Sequence, residues 1–516
     1  MSQIFSKSNK FKQEYCCTIV RLGEILPIEG KDVIGQTIVD NYTMIVNKRE
    51  CHEGDIMFYA ANESELNAEF LSKNSLYEIG EYMRNANCEE VRKLKAEGKD
   101  DEAKRMVGFF NKYGRVKTLR LGGVSSYGFL FTQETAARWK PELANINLED
   151  YIGEEFDTIC DELFIKGYVP RFQNNGGRRG NGRAKRRLKN EAKIERIEAG
   201  QFAYHYDTAP VQRNMNVFNP EDIVDISIKC DGTSFIMGNL KVRQPQVWQT
   251  GIQWIDDLLI RLYLKLPEKW QKWDEHYEDV YSSRNKIRSG NEFFTAKNNF
   301  KRELPQNKED YPVGLDIMYP YYGELLKGKI PSGYTIYGEI VGYITGTNTG
   351  IITRGGKVYD YGCEVGKNKL MLYRVTSKHM DGSTYEFNVQ DVVGFSRMLV
   401  KQYPELKDYI MELPIVYHGT LRDLYPELDI ENHWHENLFA AMKNDTVHFG
   451  MEQKEPLCKN SVWREGVVIR IEDDILNEAF KLKAEKYLHQ EADDISKGIV
   501  TGDLLEGYGE GEDAEA

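Results

Sequence analysis

Residues 221–232 read EDIVDISIKCDG. Ile223 to Ile228 is a short apolar run with the character of a strand. It ends at Lys229, and Gly232 supplies a turn three residues on. A lysine at the end of a buried strand, followed by a turn, is placed where its amine can act as a nucleophile. Alone, the Lys229-Cys230-Asp231-Gly232 tetrapeptide is a weak signal, because a surface turn produces the same pattern.

Four further pieces follow in order. Ser283-Arg284-Asn285 is the first. In Tyr337-Gly338-Glu339-Ile340-Val341-Gly342 a glutamate interrupts an apolar strand, a costly placement unless the carboxylate is paired, hydrogen-bonded or on a metal. Glu465 opens the apolar strand EGVVIR, residues 465–470. In Phe480-Lys481-Leu482-Lys483 the alternation of a strand turns Lys481 and Lys483 to one face. Together these pieces supply what nucleotidyl transfer needs. Lys229 must attack an α-phosphorus as a neutral amine, against an ordinary pKa of about 10.4. Desolvation and the neighbouring cations Lys481 and Lys483 would favour that form. The same lysines would neutralise charge on the phosphate in the transition state. Asp231, Glu339 and Glu465 are the expected ligands of a hydrated Mg²⁺. Each piece alone reads more simply as structure; five in this order do not.

The set resembles, in order, motifs I, Ia, III, IV and V of the covalent nucleotidyltransferases, the ligases and mRNA capping enzymes, over roughly residues 200 to 490. The resemblance implies Lys229 as the AMP-accepting nucleophile and Arg284 as a contact to the nucleotide. It implies Glu339 on the ribose and metal waters, Glu465 on the metal, and Lys481 with Lys483 on the α-phosphate. Tyr373, in KLMLYRV, falls where the family stacks an aromatic on adenine. Tyr373-Arg374 stands there in place of the usual Phe-Asp, so a core aromatic is the equal alternative. Only 33 residues follow Lys483, so the C-terminal OB domain of DNA ligases and capping enzymes is not expected. Nor are the N-terminal module and zinc cysteines of NAD-dependent ligases expected from this pattern. The remaining pattern resembles RNA ligases with an OB domain ahead of the catalytic domain, the Deinococcus and Naegleria type. His205, Asp207 and Thr208 look like the phage relatives of that branch.

This resemblance implies an ATP-dependent RNA ligase that joins 3′-OH and 5′-phosphate ends through lysyl-AMP, at nicks in duplexes. ATP and Mg²⁺, with Mn²⁺ as a substitute, would be its cofactors, and RNA or an RNA-containing duplex its partner. A minimal DNA ligase is the nearest rival reading. The other is an OB-fold RNA-binding protein with a decayed catalytic domain.

Around this core, the 516 residues are 41% apolar and 29% charged, a globular composition long enough for more than one domain. The expected fold class is α+β: an N-terminal OB-like β-barrel, then a nucleotidyltransferase domain of ATP-grasp-like antiparallel sheets. Strands are expected at Tyr15–Leu22, Val33–Val39, Tyr42–Asn47, Asp55–Ala60, Arg115–Leu121 and Tyr127–Phe131, with a helical excursion at Tyr82–Arg105. The expected limits are 1–172 for that domain, 173–200 for a basic linker, 201–490 for the catalytic domain and 491–516 for an acidic disordered tail. The linker holds RRGNGRAKRRLK, Arg178 to Lys189, which either tracks RNA phosphates or is simply solvated. A net charge of −13 does not exclude a nucleic-acid partner, because binding depends on local basic surface. Trp254, Leu258, Leu262 and Leu266 recur at helical spacing and are expected to pack in a core. A second helix is expected over Val389–Tyr403, leading into a strand at Leu413–Tyr417. Eight scattered cysteines form no CxxC pair, so neither a zinc site nor a disulfide framework is expected. His433 and His435 flank Trp434 without further Cys or His nearby and are not read as a metal site. The first residues lack a signal-peptide core and no run is long enough to span a bilayer, so a cytoplasmic location is expected, the host's if phage-encoded.

Overall fold

The computed structural model describes residues 4–7, 15–121, 123–168, 197, 201–202, 208–248, 250–284, 315–378, 383–472 and 478–496. The basic tract Arg178–Lys189, His205, Asp207, Asn285 and residues 497–516 lie outside that set. The chain divides into two compact units, Met1–Pro170 with Ala209–Met215, and Arg171–Thr208 with Asn216–Ala516. Both mix helices with antiparallel sheets. No helix among the described residues is long and apolar enough to cross a membrane.

In the first unit, strands β1 (Cys17–Arg21), β2 (Lys31–Val39), β3 (Tyr42–Asn47) and β4 (Ile56–Ala60) follow the alternation of the sequence. Helices α1 (Ala68–Lys73), α2 (Glu89–Ala96) and α3 (Asp100–Arg105) come next, then β5 (Phe129–Phe131), α4 (Gln133–Trp139) and β6 (Glu155–Phe156). One sheet has the order β5-β4-β1-β6; β2 and β3 form another with Leu26–Ile28. Among the described residues these are separate sheets, with no closed barrel. The strand expected over Arg115–Leu121 is cut to Leu119–Leu121. Arg115 is buried and forks onto Glu63 at 2.9 and 2.8 Å, and with Val116 it makes only an isolated antiparallel bridge to the strand Ser64–Leu66. Aromatic rings fill the core, with Phe58 stacked on Phe131 at 5.0 Å and Phe70 edge-on to Phe164 at 5.0 Å. The helical excursion has a small core of its own, from Cys88, Val91 and Ala103. Arg213 ties the Ala209–Met215 segment to this unit, reaching Cys16 Sγ at 3.2 Å and Asp40 at 3.1 Å.

The second unit is built on two antiparallel sheets. Its elements are β7 (Ile223–Lys229), β8 (Thr233–Pro245), α5 (Gln253–Leu264), β9 (Trp273–Ser282), β10 (Tyr334–Gly342), β11 (Asn368–Lys378), β12 (Thr384–Glu386), α6 (Val389–Gln402), β13 (Ile415–Thr420), β14 (Gly466–Ile471), β15 (Glu478–Lys483) and α7 (Glu485–Ser496). One sheet carries the order β15-β14-β7-β13, the other β9-β8-β10-β11-β12. The pleat sorts the first sheet by residue type. Val224, Ile226, Ile228, Val467, Ile469, Phe480 and Leu482 are all buried on one face. Asp225, Ser227, Lys229, Arg470, Lys481 and Lys483 share the other face, in register across the strands.

Two expectations fail here. The stripe Trp254, Leu258, Leu262 and Leu266 is not core: all four are exposed, Trp254 by 69%. Helix α5 sits at the far end of the β8–β9 arm, where Tyr263 contacts Trp273 of the arm itself. The acidic tail expected from residue 491 does not start there. Residues 491–496 complete α7, and buried Asp494 accepts a bond from the Gly355 N–H at 2.9 Å.

Candidate active site

Sheet register brings the proposed nucleophile to its neighbours. Lys229 is opposite Gly466 on β14, and Gly466 is opposite Lys483 on β15, so the three stand in one row. Glu465, one residue before the row, is 1% exposed, and its Oε1 pairs with Lys229 Nζ at 2.9 Å and Lys483 Nζ at 3.3 Å. One buried carboxylate oxygen therefore holds two lysines, whose side chains keep 25% and 21% of their surface open. The geometry depends on glycine. Gly466 has φ +150°, and a Cβ there would stand 2.0 Å from the Leu482 carbonyl oxygen, too close for any other residue. The sequence pointed to cations around Lys229; the structure adds that its amine shares a carboxylate with one of them.

Gly232 is required for a different reason than a turn conformation. A Cβ on it would meet the Ile340 carbonyl oxygen at 2.5 Å and Glu339 Cγ at 2.8 Å. The missing side chain thus lets the segment after Lys229 lie directly against the Glu339 strand. Glu339 itself is half-buried on β10, paired in register with Ser234 and Met371. A bulge in the β10–β11 ladder aligns Tyr337 with Arg374 and Gly338 with Leu372, leaving Tyr373 as the extra residue. Bulges re-aim side chains, and this one separates Tyr373 from its neighbours. Burial, then the Glu339 carboxylate, push the Tyr373 hydroxyl well above its usual range, while Arg374, Ser234 and Arg284 act against the rise. Glu339, Arg284 and Tyr373 therefore occupy one electrostatic neighbourhood. Arg374, the next residue, pairs with Glu386 at 2.7 Å.

Asp231 differs from the expected metal ligand. It is buried, and its Oδ2 accepts bonds from Arg354 Nε at 2.8 Å and the Tyr487 hydroxyl at 2.5 Å. Its own N–H donates to the Tyr361 hydroxyl at 2.7 Å. Arg354, fully buried on the short hairpin at 353–358, also pairs with Glu491 at 3.0 Å, and Glu491 lies 3.5 Å from Lys483. Burial alone would lower the Arg354 guanidinium, but Asp231, Tyr487 and Glu491 hold it well above its usual value. A continuous chain of charges thus runs Lys229–Glu465–Lys483–Glu491–Arg354–Asp231. Sequence reading missed Arg354, Tyr487 and Glu491. The one local signal was the four-residue spacing of Tyr487 and Glu491, which puts both on one helix face.

Cys230 is no competitor to Lys229. Burial first, then the nearby carboxylates, push its thiol well above the ordinary value, which leaves it protonated and weakly nucleophilic. All eight cysteines are free thiols.

At the other end of β7 the polar face carries a second cluster. Asp225 Oδ1 meets His418 Nδ1 of β13 at 3.1 Å and accepts from Gln390 Nε2 of α6 at 2.8 Å. Glu472, directly after β14, is bonded through its N–H to the Ile223 carbonyl at 2.9 Å. Burial and Asp225 push the Glu472 carboxyl up to about 8. Arg470 reaches across to the Tyr373 carbonyl at 3.4 Å and pairs with Glu386 at 3.3 Å, joining the polar face of this sheet to the other sheet.

An amine at a strand end, a buried acid paired with it and lysines in register beside it form an arrangement that phosphoryl-transfer chemistry can use. Among solved structures the chain is similar to those of Naegleria gruberi RNA ligase. A mutant of that enzyme solved with ATP and Mn aligns at 17% identity over 92% of this chain and 98% of that one, with a TM-score of 0.48. The form with PPi aligns at 16% identity over 93% and 99%, with a TM-score of 0.47. No family model and no curated protein matches the chain.

Proposed function

We propose that the chain is an ATP-dependent RNA ligase that joins 3′-OH and 5′-phosphate ends through an AMP carried on Lys229. The observation that carries this reading is the row Lys229, Gly466, Lys483, with Glu465 Oε1 held between the two lysines. The Lys229 amine gives up a proton and attacks the α-phosphorus; an N–P bond forms and the bond to pyrophosphate breaks. Lys481 and Lys483 lie on the same face as the amine and take up the charge that grows on the phosphate oxygens. Arg284 and Tyr373 hold the nucleotide, Tyr373 as a surface for the adenine, and Glu339 the ribose. Transfer of AMP to an RNA 5′-phosphate and attack by a 3′-OH complete the cycle.

Glu339 and Glu465 are the residues that would hold Mg²⁺, which supplies charge neutralisation when bound. Glu465 suits it: its Oε2 is buried and has no hydrogen-bond partner. Asp231, occupied by Arg354 and Tyr487, is better suited to positioning the turn after Lys229. The N-terminal unit is read as an OB-like module against the duplex backbone, and the stretch from about 201 to 490 as the catalytic domain.

Two measurements test this. Label from α-phosphate-labelled ATP should become covalently attached to the wild-type chain, stable to alkali and released by acid as a phosphoramidate is, and be absent from Lys229→Ala; absence from both would leave a binding protein. Nicked duplexes with ribo- or deoxyribonucleotides at the 3′-OH end should be sealed best with RNA there. Equal sealing of all-DNA nicks would make the enzyme a DNA ligase.

A further inference from the structure

Three adjacent strands deliver Asp225, His418 and Glu472 to one spot, and each offers a ligand atom within 4.8 Å of the others. Asp225 and His418 are cross-strand partners, and Glu472 follows the strand on the other side of β7. Asp225 is 1% exposed. Its Oδ1 is satisfied by Gln390 and His418, but its buried Oδ2 and the buried Oε1 of Glu472 meet no donor group of another residue and are left against each other's carboxyl. A buried aspartate beside a half-buried glutamate, with no donor from elsewhere for these oxygens, is a costly arrangement unless the pair shares a proton or a cation lies between them. His418 keeps 49% of its side chain exposed, so the spot opens to solvent.

We propose that Asp225, His418 and Glu472 form a divalent transition-metal site, separate from the Lys229 centre, that pins β7, β13 and β14 together. The donor set argues for the class of ion. Two carboxylates and an imidazole suit Zn²⁺, Co²⁺ or Mn²⁺, whereas Mg²⁺ prefers oxygen alone. The Gln390 amide on Asp225 Oδ1 is the kind of outer hydrogen bond that orients a metal-bound carboxylate. Asp225 lies four residues from Lys229, about 13 Å along an extended strand, too far for one ion to serve both. Arg470, the guanidinium that faces the pair, is engaged by Glu386 and by the carbonyls of Tyr373 and Phe387, which leaves the two acids in excess.

The experiment is a titration of the metal-stripped full chain with Co²⁺, read by its visible d–d absorption. One equivalent should bind with the intensity of a site of low coordination number, and saturating Co²⁺ should raise the melting temperature. His418→Ala should lose that equivalent, and Glu472→Gln should bind it at least tenfold more weakly, both keeping the wild-type circular dichroism. His418 is half-exposed and Gln matches Glu in shape, so neither change should prevent folding. Unchanged affinity and spectrum in His418→Ala, or no Co²⁺ bound by the wild type, would overturn the proposal. Neither readout involves ATP or RNA, so the result stands apart from the ligase reading.

Discussion

Lys229 and Asp225 share one face of one strand, yet the charges around them are arranged in opposite ways. At the lysine end, cations and acids alternate: Glu465 Oε1 lies between Lys229 and Lys483, and Glu491 between Lys483 and Arg354. At the aspartate end two acids stand side by side, and Asp225 Oδ2 and Glu472 Oε1 meet no donor group of another residue. A sheet therefore sets only which residues stand side by side. On the two proposals, the alternating charges at one end would take a phosphate and the adjacent acids at the other a metal cation.

The comparison breaks most visibly at the lysine. Lys229→Ala should abolish label transfer from ATP, below one-thousandth of the wild-type level, while Co²⁺ binding at Asp225 stays unchanged. Arg354→Ala should come next. It strands buried Asp231 without its cation and should cost about 3–5 kcal/mol by urea denaturation, as for other broken buried pairs. Stripping transition metal from the wild type should then lower stability by about 2–3 kcal/mol relative to metal at a hundredfold excess over its Kd, an effect absent from His418→Ala. Gln390→Ala, which removes only the outer hydrogen bond to Asp225, should weaken Co²⁺ binding about tenfold. The smallest effect is expected at Cys230. Its thiol is held protonated by burial, so Cys230→Ala should keep adenylylation within about threefold, and iodoacetamide at pH 8 should leave the native thiol unmodified.

Much of the second unit was legible because its strands alternate. DISIK, EGVVIR and FKLK each show which side chains share a face, and that property belongs to a few consecutive residues. Periodicity also located helix α5 but misjudged it. Helical spacing shows that Trp254, Leu258, Leu262 and Leu266 lie on one side, not whether anything covers them. In the first unit, the strand at Arg115 was overextended because the partner of that arginine, Glu63, is 52 residues away.

The sequence by itself determined the nucleophile candidate, its strand and the order of the charged pieces, because side-chain alternation and turn chemistry are local. Only the tertiary structure decided that Asp231 answers to Arg354, 123 residues on, and to Tyr487, 256 residues on. Strand register alone likewise set Asp225 beside His418. The reason is that pairing of buried charges is selected by which distant segments come into register, and no short stretch of chain carries that information.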